Sequence, residues 1–134
     1  MRLPVILSLV ATASAVSCAA PQQATIPTPP ITCRAGSECN EKWSRANGWI
    51  AQHSGYKVQI ASDSLIRTMG PFSDDPTMAF VVTKIAQGND IYLISINGGC
   101  GPYGLILGCI PSIPESVASF TTFVNGVSDA AKPN

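Results

Sequence analysis

The residues best suited to chemistry in this sequence are its cysteines. Thiols pair as disulfides, bind metal ions or act as nucleophiles, and their number and spacing help to decide among these uses. The chain has five of them: Cys18, Cys33, Cys39, Cys100 and Cys109. An odd number leaves one thiol over when the others pair, so one cysteine must differ from the rest.

The single histidine, His53, and the adjacent acids Asp74 and Asp75 are the other candidates. His53 could serve as a general base or a metal ligand, but no second histidine and no Ser-x-Gly-type elbow completes a nucleophilic site. In the last turn of a helix it also interacts favourably with the helix dipole. Calcium needs about six to eight oxygens, which an isolated acid pair does not supply. The sequence therefore predicts no catalytic residue, no metal site and no cofactor.

Cys18 follows a hydrophobic leader. Arg2 precedes an apolar run that extends from Leu3 to about Val16 and ends in small residues, which is the layout of a secretory signal peptide. The run has about 14 residues, whereas a bilayer-spanning helix needs about 20. The small-x-small pattern at residues 13–15 predicts cleavage before Val16.

A second cleavage site competes with the first. Ala15-Val16-Ser17-Cys18 resembles the lipobox of bacterial lipoproteins, although Ala15 stands where that family usually has Leu. In that family the cysteine thiol receives a diacylglycerol, the leader is cut before it, and the new amino terminus is acylated. The resemblance implies a signal peptide at 1–17, lipidation of Cys18 and a place in the bacterial envelope. Ala19 implies the outer membrane if the host is Gram-negative.

Composition divides the remaining chain. Residues 18–32 hold Cys18 and a tether with four prolines and no charge, a composition typical of extended, semi-rigid spacers. Residues 33–127 suffice for one small domain, and 128–134 are predicted to be a disordered tail. Without Arg2, seven basic residues face eight acidic ones, and no basic stripe exists. Binding of nucleic acid is therefore not expected.

Two helices are predicted from apolar residues that recur on one face. The first begins with Ser37 as its N-cap and ends at Gly55 in a left-handed conformation. Trp49 lies at the border of its apolar face, which is formed by Cys39, Trp43, Ala46, Ile50 and His53. The second has Ser112 as its N-cap, ends near Gly126, and buries Val117, Phe120, Val124 and Val127.

A period of two between these helices predicts four strands, at residues 56–61, 65–69, 77–86 and 91–97. Gly88 and Asn89 suit a tight turn with positive φ. Short connections favour antiparallel pairing, and both amphipathic helices need an apolar surface. The expected fold is therefore a two-layer α+β domain, in the order α-β-β-β-β-α, with a four-stranded antiparallel sheet and both helices on one face.

Four cysteines allow three disulfide pairings. The local pairs Cys33–Cys39 and Cys100–Cys109 are favoured, because glycine-containing turns can bring each pair within the about 4.4–6.8 Å between Cα atoms that a bridge requires. The alternative joins Cys39 to Cys100 or Cys109 and would staple the first helix to the end of the fourth strand.

The Gly-rich loop between Cys100 and Cys109 lacks the lysine of a phosphate-binding loop. Its apolar residues either pack against the helices or form a contact surface. These residues are Tyr103, Leu105, Ile106 and Leu107.

The expected function is a non-catalytic binding or structural role in the envelope. Its partners would be membrane lipid through acylated Cys18 and an envelope protein or the cell wall. Residues 33–50 are similar to segments of small bacterial envelope lipoproteins, a resemblance that brings no activity with it.

An inhibitor of a host or rival enzyme, such as lysozyme, is the alternative, although the usual all-β barrel of such inhibitors disagrees with two helices. A small hydrolase is a third hypothesis, and only His53 and scattered Asp and Ser residues support it. A deep pocket that holds His53 and a carboxylate would favour the enzyme.

Overall fold

The computed structural model describes residues 29–72, 75–101 and 108–126. Their strands form one antiparallel sheet in the order β1-β5-β4-β3-β2, and two helices accompany it. The α+β class is confirmed. The elements are β1 (Ile31–Arg34), α1 (Ser37–His53), β2 (Val58–Ala61), β3 (Leu65–Thr68), β4 (Ala79–Gly88), β5 (Ile91–Gly99) and α2 (Ile113–Asn125).

The predicted count of four strands is wrong, because β1 adds a fifth strand ahead of α1. Ile31 and Cys33 are buried while Thr32 and Arg34 are exposed, which is the alternation of a half-buried strand. β1 pairs with β5, so that Ile31 lies opposite Ile94. Four residues beside a run of prolines are too short for the pattern to stand out. The strand begins at Ile31, within the segment predicted to be tether.

α1 begins and ends differently from the prediction. Gly36, with φ of 105°, is the N-cap, and Ser37 is the first helical residue, so its predicted role as cap is wrong. Glu38 accepts a hydrogen bond from the Arg34 amide at 2.9 Å instead. The helix ends at Ser54 in an extended conformation, and Gly55 does not adopt a left-handed one. A Cβ at Gly55 would collide with the methyl group of Thr77, which explains why a glycine suits this position.

One core joins both helices to one face of the sheet. Trp49 of α1 and Phe120 of α2 are buried, and their ring centroids lie 5.3 Å apart in an edge-to-face arrangement. Phe80 of β4 meets Trp49 in the same way at 5.4 Å. Buried residues of the other strands complete the cluster, among them Ile31, Ile66, Val82 and Ile94. Both helices therefore lie on the same face of the sheet, as expected from their apolar stripes.

The connection from β4 to β5 and the bounds of α2 agree with the sequence. Gly88, Asn89 and Asp90 all have positive φ, as a tight hairpin turn requires. Ser112 caps α2 by accepting a hydrogen bond from the Glu115 amide, and Gly126 ends the helix with φ of 77°. Ser116 and Thr121 are also buried on its inner face, which an apolar pattern does not reveal.

The described residues form two disulfides, and both are local. Cys33 and Cys39 join β1 to the first turn of α1, with their Cα atoms 5.0 Å apart. Cys100 and Cys109 close the loop after β5, with 5.6 Å between their Cα atoms. The alternative in which Cys39 bonds to Cys100 or Cys109 is not the arrangement in this structure.

Candidate functional site

A cleft of about 370 Å³ lies between the last turn of α1 and the first two turns of α2. This volume is near the lower end of the range of small-molecule sites, which is about 300–1,000 Å³. The cleft combines apolar walls with several polar side chains. Its lining residues are Trp49, Gln52, His53, Phe80, Pro111, Glu115, Ser116 and Ser119.

The His53 ring stacks on the ring of Trp49, which lies one helical turn earlier in α1. The ring centroids are 4.4 Å apart and the ring planes are inclined by 7°. The His53 Nδ1 atom lies 2.9 Å from the Trp49 carbonyl oxygen. A carbonyl can only accept a hydrogen bond, so Nδ1 carries the proton. In the neutral ring Nε2 therefore holds the lone pair, and the ring orientation is fixed by the stack and by this bond.

Two serines of α2 line the cleft, and their hydroxyls differ in their partners. The Ser119 hydroxyl accepts a hydrogen bond from the Trp49 indole N–H at 3.3 Å and keeps its own proton for donation. The Ser116 hydroxyl is buried, and among the described residues it has no hydrogen-bond partner. A buried hydroxyl without a partner is costly, and such groups are uncommon in folded proteins.

Among the described residues that line the cleft, Glu115 is the one with a carboxylate, and it lies in the first turn of α2. The arrangement differs from a nucleophilic triad in two ways. The Nδ1–H of His53 bonds to a carbonyl rather than to a carboxylate, and the Ser116 hydroxyl does not bond to His53. The described side chains of the cleft therefore offer acceptors and donors to a ligand, and His53 and Ser116 do not form a hydrogen-bonded pair of base and nucleophile.

The other candidate residues lie elsewhere. Trp43 is buried, and its indole N–H donates to the Ser62 carbonyl at 2.9 Å. Asp75 accepts a hydrogen bond from the Thr77 amide at 2.8 Å, while Asp74 is outside the described residues. In the part of the chain that the structure describes, no cluster of three metal-binding side chains occurs. Cys18, the tether up to residue 28, the tail and the predicted contact residues Tyr103, Leu105, Ile106 and Leu107 also lie outside that part.

Two further hollows lie against the sheet. One of about 230 Å³ lies where β4 begins and β5 ends, and its lining includes Arg67 and Pro71. The other, of about 310 Å³, lies between Pro29, Pro30 and α2. Neither includes an unpartnered buried polar side chain from the described residues, whereas the cleft beside His53 does. The sequence pointed to His53, but not to Ser116 or Ser119, because only the packing of α2 on Trp49 places them there.

No known protein family, curated protein or solved structure matches the chain. Within residues 29–72, 75–101 and 108–126, neither helix has the length and apolar character needed to cross a membrane.

Proposed function

We propose that this chain is a lipoprotein of the bacterial envelope whose domain has a non-catalytic binding role. The observation that carries the proposal is the fate of the cysteines. The two disulfides use four of the five, all within the domain, and the fifth is Cys18 at the lipobox-like residues 15–18. Disulfides are typical of oxidising compartments, where a free thiol is a liability. Conversion of Cys18 to a thioether removes that liability.

The way the chain enters the domain suits a tether. Pro29 and Pro30 lead directly into β1, which is an edge strand of the sheet. The Cys33–Cys39 disulfide joins this strand to α1, and the Lys42 ammonium donates to the Thr32 carbonyl at 2.6 Å. β1, the strand that follows the proposed tether, is therefore held by covalent and hydrogen bonds as well as by strand pairing.

The cleft favours binding over catalysis. His53, Glu115 and Ser116 lie in one concavity, but the serine is within a helix, and it makes no hydrogen bond to the imidazole. Nucleophilic catalysis needs a base in hydrogen-bond reach of the nucleophile and donors for the oxyanion. A ligand that is only bound needs shape and hydrogen bonds, which this cleft provides.

A hydrolase is the second candidate, because a cleft that holds both His53 and a carboxylate favours it. Assays with chromogenic acetate and butyrate esters distinguish the two functions. The binding proposal expects no turnover above that of the His53→Ala variant. Turnover that disappears in both His53→Ala and Ser116→Ala would establish the enzyme instead.

The anchor is tested by labelling cells with a radioactive fatty acid. We expect the wild-type protein to carry the label and to partition into detergent, because several acyl chains hold a protein far more firmly than a single chain does. Cys18→Ser should lose the label and release the protein. Ser17→Ala is the matched control, since it exchanges one small residue for another and keeps the thiol. A wholly soluble, unlabelled wild-type protein would refute the anchor.

A further inference from the structure

We infer that the cleft between α1 and α2 binds the ring of a neutral hexose. The inference rests on the proposed binding role of the domain and names the ligand class for it. The ligand is identified by three properties of the cleft: an unsatisfied buried hydroxyl, a set of polar groups without a positive charge, and apolar walls.

The first property is the Ser116 hydroxyl. Ser116 is 2% exposed and lines the cleft, and its Oγ has no partner among the described residues. A ligand hydroxyl, which both donates and accepts, satisfies such a group in either orientation. The Oγ atom is closed to solvent in the free protein, so a ligand hydroxyl reaches it once the side chains that cover it in the cleft move aside. Binding then supplies a hydrogen bond that the free protein lacks among the described residues.

The second property is the charge of the polar groups. Among the described residues, no lysine and no arginine lines the cleft, so a phosphate or carboxylate ligand would meet the Glu115 carboxylate there without a compensating cation from that lining. His53 Nε2 and the Glu115 carboxylate accept hydrogen bonds, Ser119 has a proton to donate, and the Gln52 amide does both. Several neutral hydroxyl groups on one small ring match this mixture of acceptors and donors.

The third property is the shape of the cleft and its apolar walls. Phe80 and Pro111 contribute apolar surface, and the His53 ring offers a flat aromatic surface fixed by its stack on Trp49. A hexose ring has an apolar C–H face that packs on such a surface while its hydroxyls point to the polar groups. A volume of about 370 Å³ suits a ligand of this size rather than a long chain.

The test is a titration of the purified full-length protein with glucose and N-acetylglucosamine, followed by NMR. The chain has one histidine and two tryptophans, so the imidazole signals belong to His53, and a Trp43→Phe variant assigns the two indole N–H signals. We expect saturable shifts of His53 and Trp49. Trp43 is an internal control, because its indole bonds to Ser62 away from the cleft. Glucose 6-phosphate should bind more weakly than glucose, because the Glu115 carboxylate repels the phosphate group.

Ser116→Ala should weaken binding by about 2–10-fold, the value of one hydrogen bond. Ser44→Ala, an exposed change on α1, is the matched control and should leave the affinity unaltered. Equal shifts of Trp43, no saturable shift with either sugar, or tighter binding of glucose 6-phosphate would overturn the inference.

A hexose ring can belong to the end of a glycan chain or to a free monosaccharide. Methyl glucosides distinguish these two sources, and either result supports the inference. If they bind as well as glucose, the cleft accepts the end of a glycan chain. If only the free sugars bind, the ligand is a monosaccharide. Acylation of Cys18 is measured in a separate experiment. The proposed anchor can therefore be refuted while the sugar site is supported, and the sugar site can be refuted while the anchor is supported.

Discussion

Ser116 and Ser119 lie one turn apart on α2, and removal of their hydroxyls should have opposite effects. Ser116→Ala removes a buried hydroxyl without a partner, so we expect the free energy of unfolding to rise by about 1 kcal/mol. Ser119→Ala leaves the Trp49 indole N–H without its acceptor, so we expect the free energy of unfolding to fall by about 1–3 kcal/mol. Urea denaturation measures both.

The sign of the first change is the informative result. A variant that is more stable but binds sugar more weakly marks Ser116 as a group kept for a ligand. A loss of stability of 1 kcal/mol or more in Ser116→Ala would instead mean that the hydroxyl has a partner in the folded protein.

Two carboxylates, the exposed Glu38 and the partly exposed Asp75, should make stability depend on pH in the acid range. Hydrogen bonds from the Arg34 amide, and then from Lys42, hold the pKa of Glu38 below its ordinary 4.5. The Thr77 hydroxyl and amide hold the pKa of Asp75 below its ordinary 3.8. Because both folded-state pKa values are depressed, their stabilisation is full above the unfolded values and is lost as pH falls through the folded ones.

Thermal melts should therefore show a constant Tm near neutral pH and a fall below about pH 4.5. Glu38→Gln and Asp75→Asn should each lower Tm at pH 7 and reduce the acid-induced fall. If the double variant kept the full acid dependence of the wild type, other groups would have to account for it.

At the scale of elements, two glycines near the end of α1 give a matched test of packing. A Cβ at Gly48 meets nothing within 4 Å, so Gly48→Ala should stabilise the helix by about 0.5–1 kcal/mol. Gly55→Ala should destabilise the protein by about 1–3 kcal/mol, because the new methyl overlaps that of Thr77.

A double-mutant cycle measured in urea tests whether this clash is the cause. Thr77→Ser removes the methyl group that Gly55→Ala strikes, so the double variant should recover most of the loss. Additive losses in the double variant would place the cost of Gly55→Ala elsewhere, in the backbone rather than in contact with Thr77.

The elements show what the sequence could and could not predict. Helices α1 and α2 and the strands from β2 to β5 have periodic residues over enough length to be identified, apart from shifts of up to about two residues at their ends. β1 has only four residues, and its pairing with β5 is a long-range contact that no local pattern encodes. The N-cap at Gly36 was not predicted for a similar reason. Its backbone conformation is set by the connection between β1 and α1 and by the disulfide that joins them.

The cleft was not predicted, for the same reason. His53 is notable from sequence because it is the one histidine. The burial of Ser116 depends on how α2 packs against Trp49, so its role required the tertiary structure.

At the scale of the whole molecule, the two disulfides should stabilise different regions. Each closes a short loop, with six and nine residues of separation, so loss of either should cost no more than about 2–3 kcal/mol in the chain-entropy model. Replacement of Cys33 and Cys39 by serine should speed hydrogen exchange in β1 and the first turn of α1. The same change at Cys100 and Cys109 should leave β1 protected. Uniform loss of protection in both variants would contradict local roles.

The domain, the tether and the anchor form one proposal: a disulfide-bonded α+β domain held at a membrane by the remaining cysteine. The most direct test is the mass of the amino-terminal peptide of the protein isolated from bacterial envelopes. We expect that peptide to begin at Cys18 and to carry a diacylglycerol thioether and an acylated amino group. A peptide that begins at Val16, with an unmodified Cys18, would contradict the account.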